Sequence, residues 1–365
     1  MRKTKVVHLT YDMRIGGTET VIKNIVEGLD PERFETEVLC IEPELGPFGQ
    51  QLQEKGFTIT NLHWVGGFDL KLIGKVRSYI KENRVDVLHC HQYTPWVYGC
   101  IAALLTDVKV IFTEHGRFYP DVSSWKRKYI NPVLLKFTDQ VTAISKATKQ
   151  ALVDYEFLPQ RRIEVVYNGI APLIKDKKAI ADLRQEYSLP EDAKIVGTVA
   201  RLDPIKNQTM MIKAFANARE SISNLYLLIV GDGEERNTLE ALVEQLNIRD
   251  YVIFTGYVAK PVNHIALMDA FLLSSLSEGT SMTLLEAMSL GKPCVVTDAG
   301  GNAEVVKHNC SGLVSPNNDL DGFSQNLIKT FSAESQTFGV NALTRFESEF
   351  SCKKMNDSYI KLYDA

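Results

Sequence analysis

Two carboxylates, Glu278 and Glu286, stand eight positions apart in SLSEGTSMTLLEAMSLGKP (Ser275–Pro293), among apolar and small residues where a helix begins. Upstream, the loop VARLDPIKNQ sets Arg201 and Lys206 just past an apolar run. A planar guanidinium fork and a point-charge ammonium side by side suit a diphosphate. Carboxylates at a helix start gain about 0.3–1 kcal/mol each from its dipole, which is a structural use and nothing more. The stronger reading has them accept hydrogen bonds from sugar hydroxyls while backbone N–H groups around Ser281 to Leu284 meet phosphate. Arg201 and Lys206 then offset the phosphate charge; at an effective dielectric of ~20 a contact at ~4 Å is worth about 4 kcal/mol before desolvation. A third loop, YDMRIGGTE, opens a helix with Gly16-Gly17 and has the shape of a phosphate cradle, though it is neither GxGxxG nor a P-loop, and an ordinary tight turn is its alternative. The one Asp-x-Asp, Asp319-Leu320-Asp321, reads as the N-cap and first turn of a helix through Gly322 to Thr330 rather than as a metal site.

These loops need rigid elements to aim them. Apolar runs of four to seven residues recur: VVHL, EVLCI, VDVLHC, KVIFT, QVTAI, then IVGTVA, LYLLIVG, VIFTG, AFLLSS and CVVTD. They are continuous rather than alternating, the signature of strands buried on both faces, and helical patterns separate them; the class is α/β with parallel sheets. One helix is expected over Thr18–Leu29, with Thr18 as N-cap and Val21, Ile25 and Leu29 on its stripe. Another starts near Ser281, turns Leu284, Leu285 and Met288 inward and stops at Gly291-Lys292-Pro293. The rhythm breaks over the polar residues 173–194, which places a domain junction at about 170–190.

The chain's 365 residues suffice for two domains with cores of their own. A net charge of −4 argues against a dedicated nucleic-acid binder. Residues 1–170 hold 22 Lys+Arg against 20 Asp+Glu, and residues 171–365 hold 19 against 25. The N-terminal excess is local, in KLIGKVRSYIKENR (Lys71–Arg84) and WKRKYINPVLLKF (Trp125–Phe137), where basic residues interleave with apolar ones. Such segments either lie on anionic lipid or form solvated faces above a core stripe, here Leu72, Val76, Tyr79 and Ile80. Met1-Arg2-Lys3 runs straight into VVHLT and no apolar run approaches 18 residues, so a cytosolic protein is expected. The six cysteines form no CxxC, and reduced, mostly buried thiols are expected.

The spacing E-x7-E from Glu278 to Glu286, followed by EAMSLGKPCVVTDAGGNAE with Gly300-Gly301 and Glu304, resembles the donor-binding signature of the retaining GT-B glycosyltransferases of family 4, the glycosyl transferases group 1. IGGTE, DVLHCH, TEHG, YNGI, ARLDPIKN and LLIVGDGEE fall in that family's order. The resemblance implies two Rossmann-like, doubly wound parallel-sheet domains facing across a cleft. Residues 1–170 plus 351–365 would form the acceptor side, the last helix crossing back, and 171–350 the nucleotide-sugar side. It implies that Arg201 and Lys206 bind the diphosphate, Glu286 the ribose hydroxyls, and Glu278 a hydroxyl of the donor sugar. Gly279, Thr280, Ser281, Met282, Thr283, Leu284 and Glu304 complete the donor set, with Gly16 and Gly17 approaching from the opposite wall and His115, in TEHG, near the reacting centre. Transfer would retain anomeric configuration by front-face displacement, with no metal and no cofactor, the nucleotide-sugar being a substrate. The expected acceptor is a saccharide or a lipid-linked one in bacterial cell-surface polysaccharide or glycoconjugate synthesis, UDP being the favoured base. One departure touches specificity: where the family often has Gly-Phe-Gly after the first glutamate, this chain has Gly279-Thr280-Ser281-Met282. The alternatives are a UDP-N-acetylglucosamine 2-epimerase-like enzyme, which needs no acceptor, and a non-catalytic nucleotide-sugar binding subunit. VGDGEE gives only a partial dinucleotide fingerprint, which sets a dehydrogenase aside.

Overall fold

The computed structural model describes residues 2–64, 66–116 and 123–365. The chain divides into two compact units, Met1–Gly169 with Cys352–Ala365, and Ile170–Ser351. The first holds a seven-stranded sheet of β1 (Thr4–Thr10), β2 (Phe34–Cys40), β3 (Thr58–Asn61), β4 (Val87–His91), β5 (Lys109–Glu114), β6 (Gln140–Ala143) and β7 (Ile163–Val165), in the order β3-β2-β1-β4-β5-β6-β7. The second holds six strands, β8 (Lys194–Val199), β9 (Leu225–Val230), β10 (Val252–Gly256), β11 (Ala270–Leu273), β12 (Cys294–Thr297) and β13 (Gly312–Ser315), in the order β10-β9-β8-β11-β12-β13. Every paired strand runs parallel, as expected of apolar runs with no polar face to show water. All ten expected runs are strands. The three further strands, β3, β7 and β13, each close one edge of a sheet. They are only three or four residues long, and β3 and β7 are partly open to solvent, so neither carries a long enough apolar run to stand out.

Parity along the first sheet has a consequence for chemistry. The register pairs His8 with His89, His91 with Thr113, and Thr113 with Thr142. Successive side chains alternate between faces, so one face carries this polar row while the other carries Val7, Leu9, Leu88, Cys90, Val110, Phe112, Val141 and Ala143, which join one apolar core. Over the polar face lies the C-terminal helix Cys352–Asp364, with Tyr359 and Tyr363 buried. It is tied down by Lys109 Nζ donating to the Leu362 carbonyl at 2.7 Å, by Asn356 Nδ2 donating to the Asn24 carbonyl at 3.3 Å, and by an Arg33–Asp364 ion pair at 2.8 Å.

The first helix runs Gly17–Gly28 and buries Val21, Ile22, Ile25 and Val26. Its N-cap is Gly16 and not Thr18, because the extended backbone that precedes the helix ends at Gly16, two residues earlier than the apolar stripe suggests; no side chain caps it. Helix Leu70–Glu82 turns Leu72, Val76 and Ile80 inward, the core-stripe alternative for that basic segment. The junction residues form helix Lys177–Glu186, capped by Asp176 and burying nothing. All six cysteines are unpaired and four are buried. No helix among the described residues is long and apolar enough to cross a membrane.

Candidate functional site

In a doubly wound sheet the crossovers leave the central strand in opposite directions, which opens a crevice at the carboxyl ends where the strand order reverses. In the second unit that point lies between β8 and β11, and the loops after these two strands hold the candidate residues. The β8 loop carries Arg201 and Lys206, and the β11 loop carries Glu278 to Ser281. They are laced together: Leu276 N–H donates to the Ile205 carbonyl at 2.8 Å, and Ser274 Oγ donates to the Lys206 carbonyl at 2.8 Å. Lys206 Nζ donates to Glu278 Oε1 at 2.7 Å, and Ser275 Oγ donates to the same oxygen at 2.6 Å. Both charged side chains are largely enclosed, at 23% and 10% exposure. Arg201 is different, with a side chain 77% exposed whose Nε donates to Asp203 Oδ2 at 2.6 Å.

Glycines hold the neighbouring loops against these two. Gly300 sits at φ +55, and a Cβ there would lie 1.8 Å from the Glu278 carbonyl oxygen. Gly301 N–H donates to that same carbonyl at 3.2 Å. The β9 loop packs likewise on the β8 loop, through Gly231 at φ +141, where a Cβ would meet the Ala200 oxygen at 2.0 Å. Only a residue without a side chain fits either position.

Helix Met282–Ser289 leaves the β11 loop with Ser281 as N-cap, its Oγ accepting from Leu284 N–H at 3.4 Å. Glu286 lies on this helix. Burial pushes its carboxyl up to about 7, and Oε2 is buried without a hydrogen-bond partner. Ordinary carboxylates titrate near 4.3, so the protein holds this one at a cost that two donating hydroxyls would relieve.

In the first unit the corresponding reversal lies between β1 and β4. Gly16 and Gly17 follow β1. A Cβ on Gly16 would lie 2.2 Å from Glu19 Oε2, so the bare backbone leaves room for that carboxyl, which burial raises to about 7. His115 follows β5 at the carboxyl end of the same sheet, with its Nε2 2.8 Å from His91 Nδ1.

Two family profiles span most of the chain: "Glycosyltransferase Family 4" matches residues 15–172 and "Glycosyl transferases group 1" matches residues 179–342. The chain belongs to this family of glycosyltransferases. It is 28% identical over 307 residues to the N-acetyl-alpha-D-glucosaminyl L-malate synthase of Bacillus anthracis, covering 81% of this chain and 79% of that protein. It is 27% identical over 382 residues to the UDP-Gal:alpha-D-GlcNAc-diphosphoundecaprenol alpha-1,3-galactosyltransferase of Escherichia coli, covering 99% and 97%. Among solved structures it is similar to Anabaena HepE in complex with UDP, with a TM-score of 0.87, 23% identity and coverage of 99% and 100%. Its fold is GT-B.

Within this glycosyltransferase the expected residues fall into two groups by unit. Arg201, Lys206, Glu278, Gly279 to Leu284, Glu286 and Glu304 belong to the second; Gly16, Gly17 and His115 belong to the first. Three details differ from the sequence reading. Lys206 and Glu278, read as separate ligand contacts, are one ion pair in the protein alone. Leu284 N–H, read as a phosphate donor, is taken by the Ser281 cap, and the Leu284 side chain is buried in the core. Glu286 is more enclosed than its place off the Leu284/Met288 stripe implied: its Oε2 is buried without a hydrogen-bond partner, and burial raises its carboxyl. Glu304 lies in a four-residue helix, Asn302–Val305, whose carbonyls at Glu304 and Val305 accept from Arg345. Asp319 caps helix Leu320–Lys329, accepting from Gly322 N–H at 3.0 Å, the cap role read for Asp-x-Asp.

The residues that went unread are Glu19 and the histidines His8, His89 and His91. Parity gives the signal that finds the histidines. In parallel strands of matched register, H-x-T in β1, H-x-H in β4 and T-x-H from β5 onward put their polar members on one face.

Proposed function

We propose that the chain transfers a sugar, with retention, from a UDP-sugar to a saccharide or lipid-linked acceptor in bacterial cell-surface glycoconjugate synthesis. The observation that carries this is the second unit's crevice. It joins an exposed guanidinium, an enclosed Lys206–Glu278 pair and a buried Glu286 oxygen without a partner, and so offers cations for a diphosphate and carboxylates for hydroxyls at one strand reversal. Arg201 and Lys206 meet the diphosphate, Glu286 the ribose and Glu278 the transferred sugar. Backbone N–H groups from Gly279 to Thr283 and the Glu304 turn complete the donor site. In this reading the cations do the work of a metal by stabilising charge on the leaving diphosphate, which itself helps remove the acceptor proton; neither metal nor cofactor is required. His115, with Gly16 and Gly17, serves the sugar and acceptor from the first unit. UDP is favoured because HepE is described with UDP, and the E. coli relative is named for a UDP-sugar donor and a diphosphoundecaprenol-linked acceptor.

The test is a thermal-shift panel of UDP-, GDP- and ADP-sugars with and without EDTA. A nucleotide at ~100 times its dissociation constant stabilises by about 2.7 kcal/mol. UDP compounds are expected to shift the transition, EDTA to leave it unchanged, and UDP release to require acceptor. Turnover of UDP-N-acetylglucosamine without acceptor would instead indicate an epimerase, and binding without any turnover a non-catalytic subunit.

Peripheral contact with the inner face of the plasma membrane is part of the same reading. Around helix Arg127–Leu134, which buries only Asn131 and Leu134, the residues Trp125, Tyr129, Ile130, Val133 and Phe137 are exposed beside Lys126, Lys128 and Lys136. Apolar side chains among cations suit an anionic lipid surface and would bring a cytoplasmic enzyme to a lipid-linked acceptor. Flotation with anionic vesicles at low salt checks it; equal recovery with neutral vesicles would count against it.

A further inference from the structure

The loops that leave β1, β2 and β3 of the first sheet are laced into one wall. Glu42 N–H donates to the Tyr11 carbonyl at 2.8 Å, and Trp64 N–H donates to the Ile41 carbonyl at 2.7 Å. Two kinds of side chain stand on this wall. One is aromatic: the Tyr11 and Trp64 rings lie 6.2 Å apart between centroids, Trp64 meets Tyr98 edge-on at 6.2 Å, and Phe68 stacks on Tyr98 at 6.0 Å with 19° between the planes. The other is charged. Arg14 Nη2 lies 2.8 Å from Glu42 Oε2, and Arg14 Nε lies 3.4 Å from Asp12 Oδ2.

Phe68 shows what such a wall is built to do. It is 70% exposed, while Tyr98 beneath it is 3% exposed, so one face of the Phe68 ring is covered and the other is open. Its backbone is nevertheless held on both sides. The Gly67 carbonyl accepts from Trp64 Nε1 at 3.0 Å and from Tyr98 Oη at 2.8 Å, and Asp69 N–H donates to Tyr98 Oη at 2.8 Å. Asp69 in turn caps helix Leu70–Glu82. Burial of Phe68 returns little for fixing this loop, whereas a ligand that lies on the open face gains from a ring already in place.

A pyranose suits both kinds of side chain. Its C–H groups offer a weakly positive apolar face to the negative face of an aromatic ring, and its hydroxyls both donate and accept. Arg14 supplies donors, Asp12 and Glu42 supply acceptors, and each has capacity beyond the bonds made among them. We propose that Tyr11, Trp64 and Phe68, with Arg14 and Glu42, form a subsite for a saccharide unit of the acceptor, the rings taking its apolar face and the ion pair its hydroxyls. This rests on the reading that the first unit serves the acceptor. Lipid is the poorer occupant. Asp12 and Glu42 would repel an anionic headgroup, whereas the apolar surface around helix Arg127–Leu134 stands among Lys126, Lys128 and Lys136, with no carboxylate from Ser123 to Phe137.

The experiment is fluorine and saturation-transfer NMR on the full chain labelled with 4-fluorophenylalanine. The probes are the methyl glycosides of glucose, galactose, mannose and N-acetylglucosamine. At least one is expected to move the Phe68 line, identified by its loss in Phe68→Leu, and to take up saturation chiefly on the protons of one ring face. Phe68→Ala should weaken that glycoside about fivefold, the worth of one ring contact, and Phe68→Tyr should restore it. Arg14→Met should weaken it about tenfold, the worth of a hydrogen bond to a charged group. A Phe68 line that none of the four glycosides moves overturns the proposal. So does a line moved by anionic vesicles and by no glycoside, or an affinity unchanged in Phe68→Ala. Glycoside binding is read without donor or turnover, so its failure is distinct from failure of the UDP-sugar panel; glycosides that bind as stated beside an inactive panel would support the subsite and overturn only the donor reading.

Discussion

The two sheets share a winding and reverse strand order at the same place, yet their polar ends are built from opposite materials. At the second unit's reversal stand formal charges, Arg201 with Asp203 and Lys206 with Glu278, beside Glu286, whose carboxyl burial pushes up to about 7. At the first stand neutral rings and hydroxyls, His8, His89, His91, Thr113 and Thr142, all fully buried. Common topology thus fixes where a ligand can meet the backbone, and side chains alone decide what each half offers it. A charged end can bind a diphosphate and stabilise a leaving group. A neutral end can orient hydroxyls without competing for that charge.

The largest expected effect separates the two ends by pH. A histidine in the unfolded chain titrates near 6.5, whereas burial holds His8 down to about 3 and His89 and His91 well below their ordinary value. The unfolded chain therefore takes up protons that the folded unit refuses. Stability is full above pH ~6.5 and lost as pH falls below it, by roughly 6 kcal/mol for the three rings at pH 5. Glu19, raised to about 7, offsets part of this loss. In the second unit Glu286 acts with the opposite sign, its cost fully present above pH ~7 and relieved as pH falls, while His264, lowered by burial, works weakly against it. Hydrogen exchange on lowering the pH from 8 to 5 should strip protection from β1, β4 and β5 well before β8, β9 and β11. Parallel loss in both sheets would break the comparison.

Next in size is the ion pair. Lys206→Met should lower transfer by about 10²–10³-fold, the worth of a preorganised charge on a leaving group. It should also destabilise by about 3–5 kcal/mol, because Glu278 is left enclosed without its cation. Adding Glu278→Gln should return most of the thermal stability and none of the rate. If the single variant keeps the wild-type melting temperature, Lys206 and Glu278 are not coupled in the protein alone.

How far the sequence reaches can be seen in these same residues. Continuous apolar runs reveal ten strands because burial on both faces leaves no polar positions to confuse them. β3, β7 and β13 stay hidden because these edge strands are only three or four residues long, and β3 and β7 are also partly open to solvent. The candidate loops are legible because glycines and charges cluster where a run ends and a helix starts. The Lys206–Glu278 bond spans 72 positions and depends on β8 and β11 being neighbours, which no local pattern states. The row of histidines asks for still more. H-x-H in DVLHCH places two rings on one face, but the partners arrive from β1 and from beyond β5, so sheet order and register must be known first.

A smaller effect tests the packing that holds the charged end together. Gly300→Ala forces a side chain onto a left-handed backbone at φ +55, with Cβ 1.8 Å from the Glu278 oxygen. The backbone conformation alone costs about 1–2 kcal/mol. The loop must then move, carrying Glu278 off Lys206. A lowered melting temperature and a weakened response to UDP-sugar should appear together; loss of stability with UDP-sugar binding intact would mean that the Gly300 turn supports the sheet and not the site.

The smallest effect reads the charged end most directly. If ribose hydroxyls donate to Glu286, only the ionised carboxylate binds, and nucleotide affinity must follow its titration near 7. Binding should be about tenfold weaker at pH 6 than at pH 8, flat above 8, with a proton released per nucleotide bound below 7. Glu286→Gln should remove this slope while keeping part of the affinity, since an amide oxygen still accepts one hydrogen bond. The phosphate ligand itself titrates near 6, so UDP must be compared with a UDP-sugar, whose diphosphate diester stays fully ionised across the range. A slope that persists with the UDP-sugar in Glu286→Gln would assign the proton to another group and leave the buried oxygen of Glu286 without a ligand to explain it.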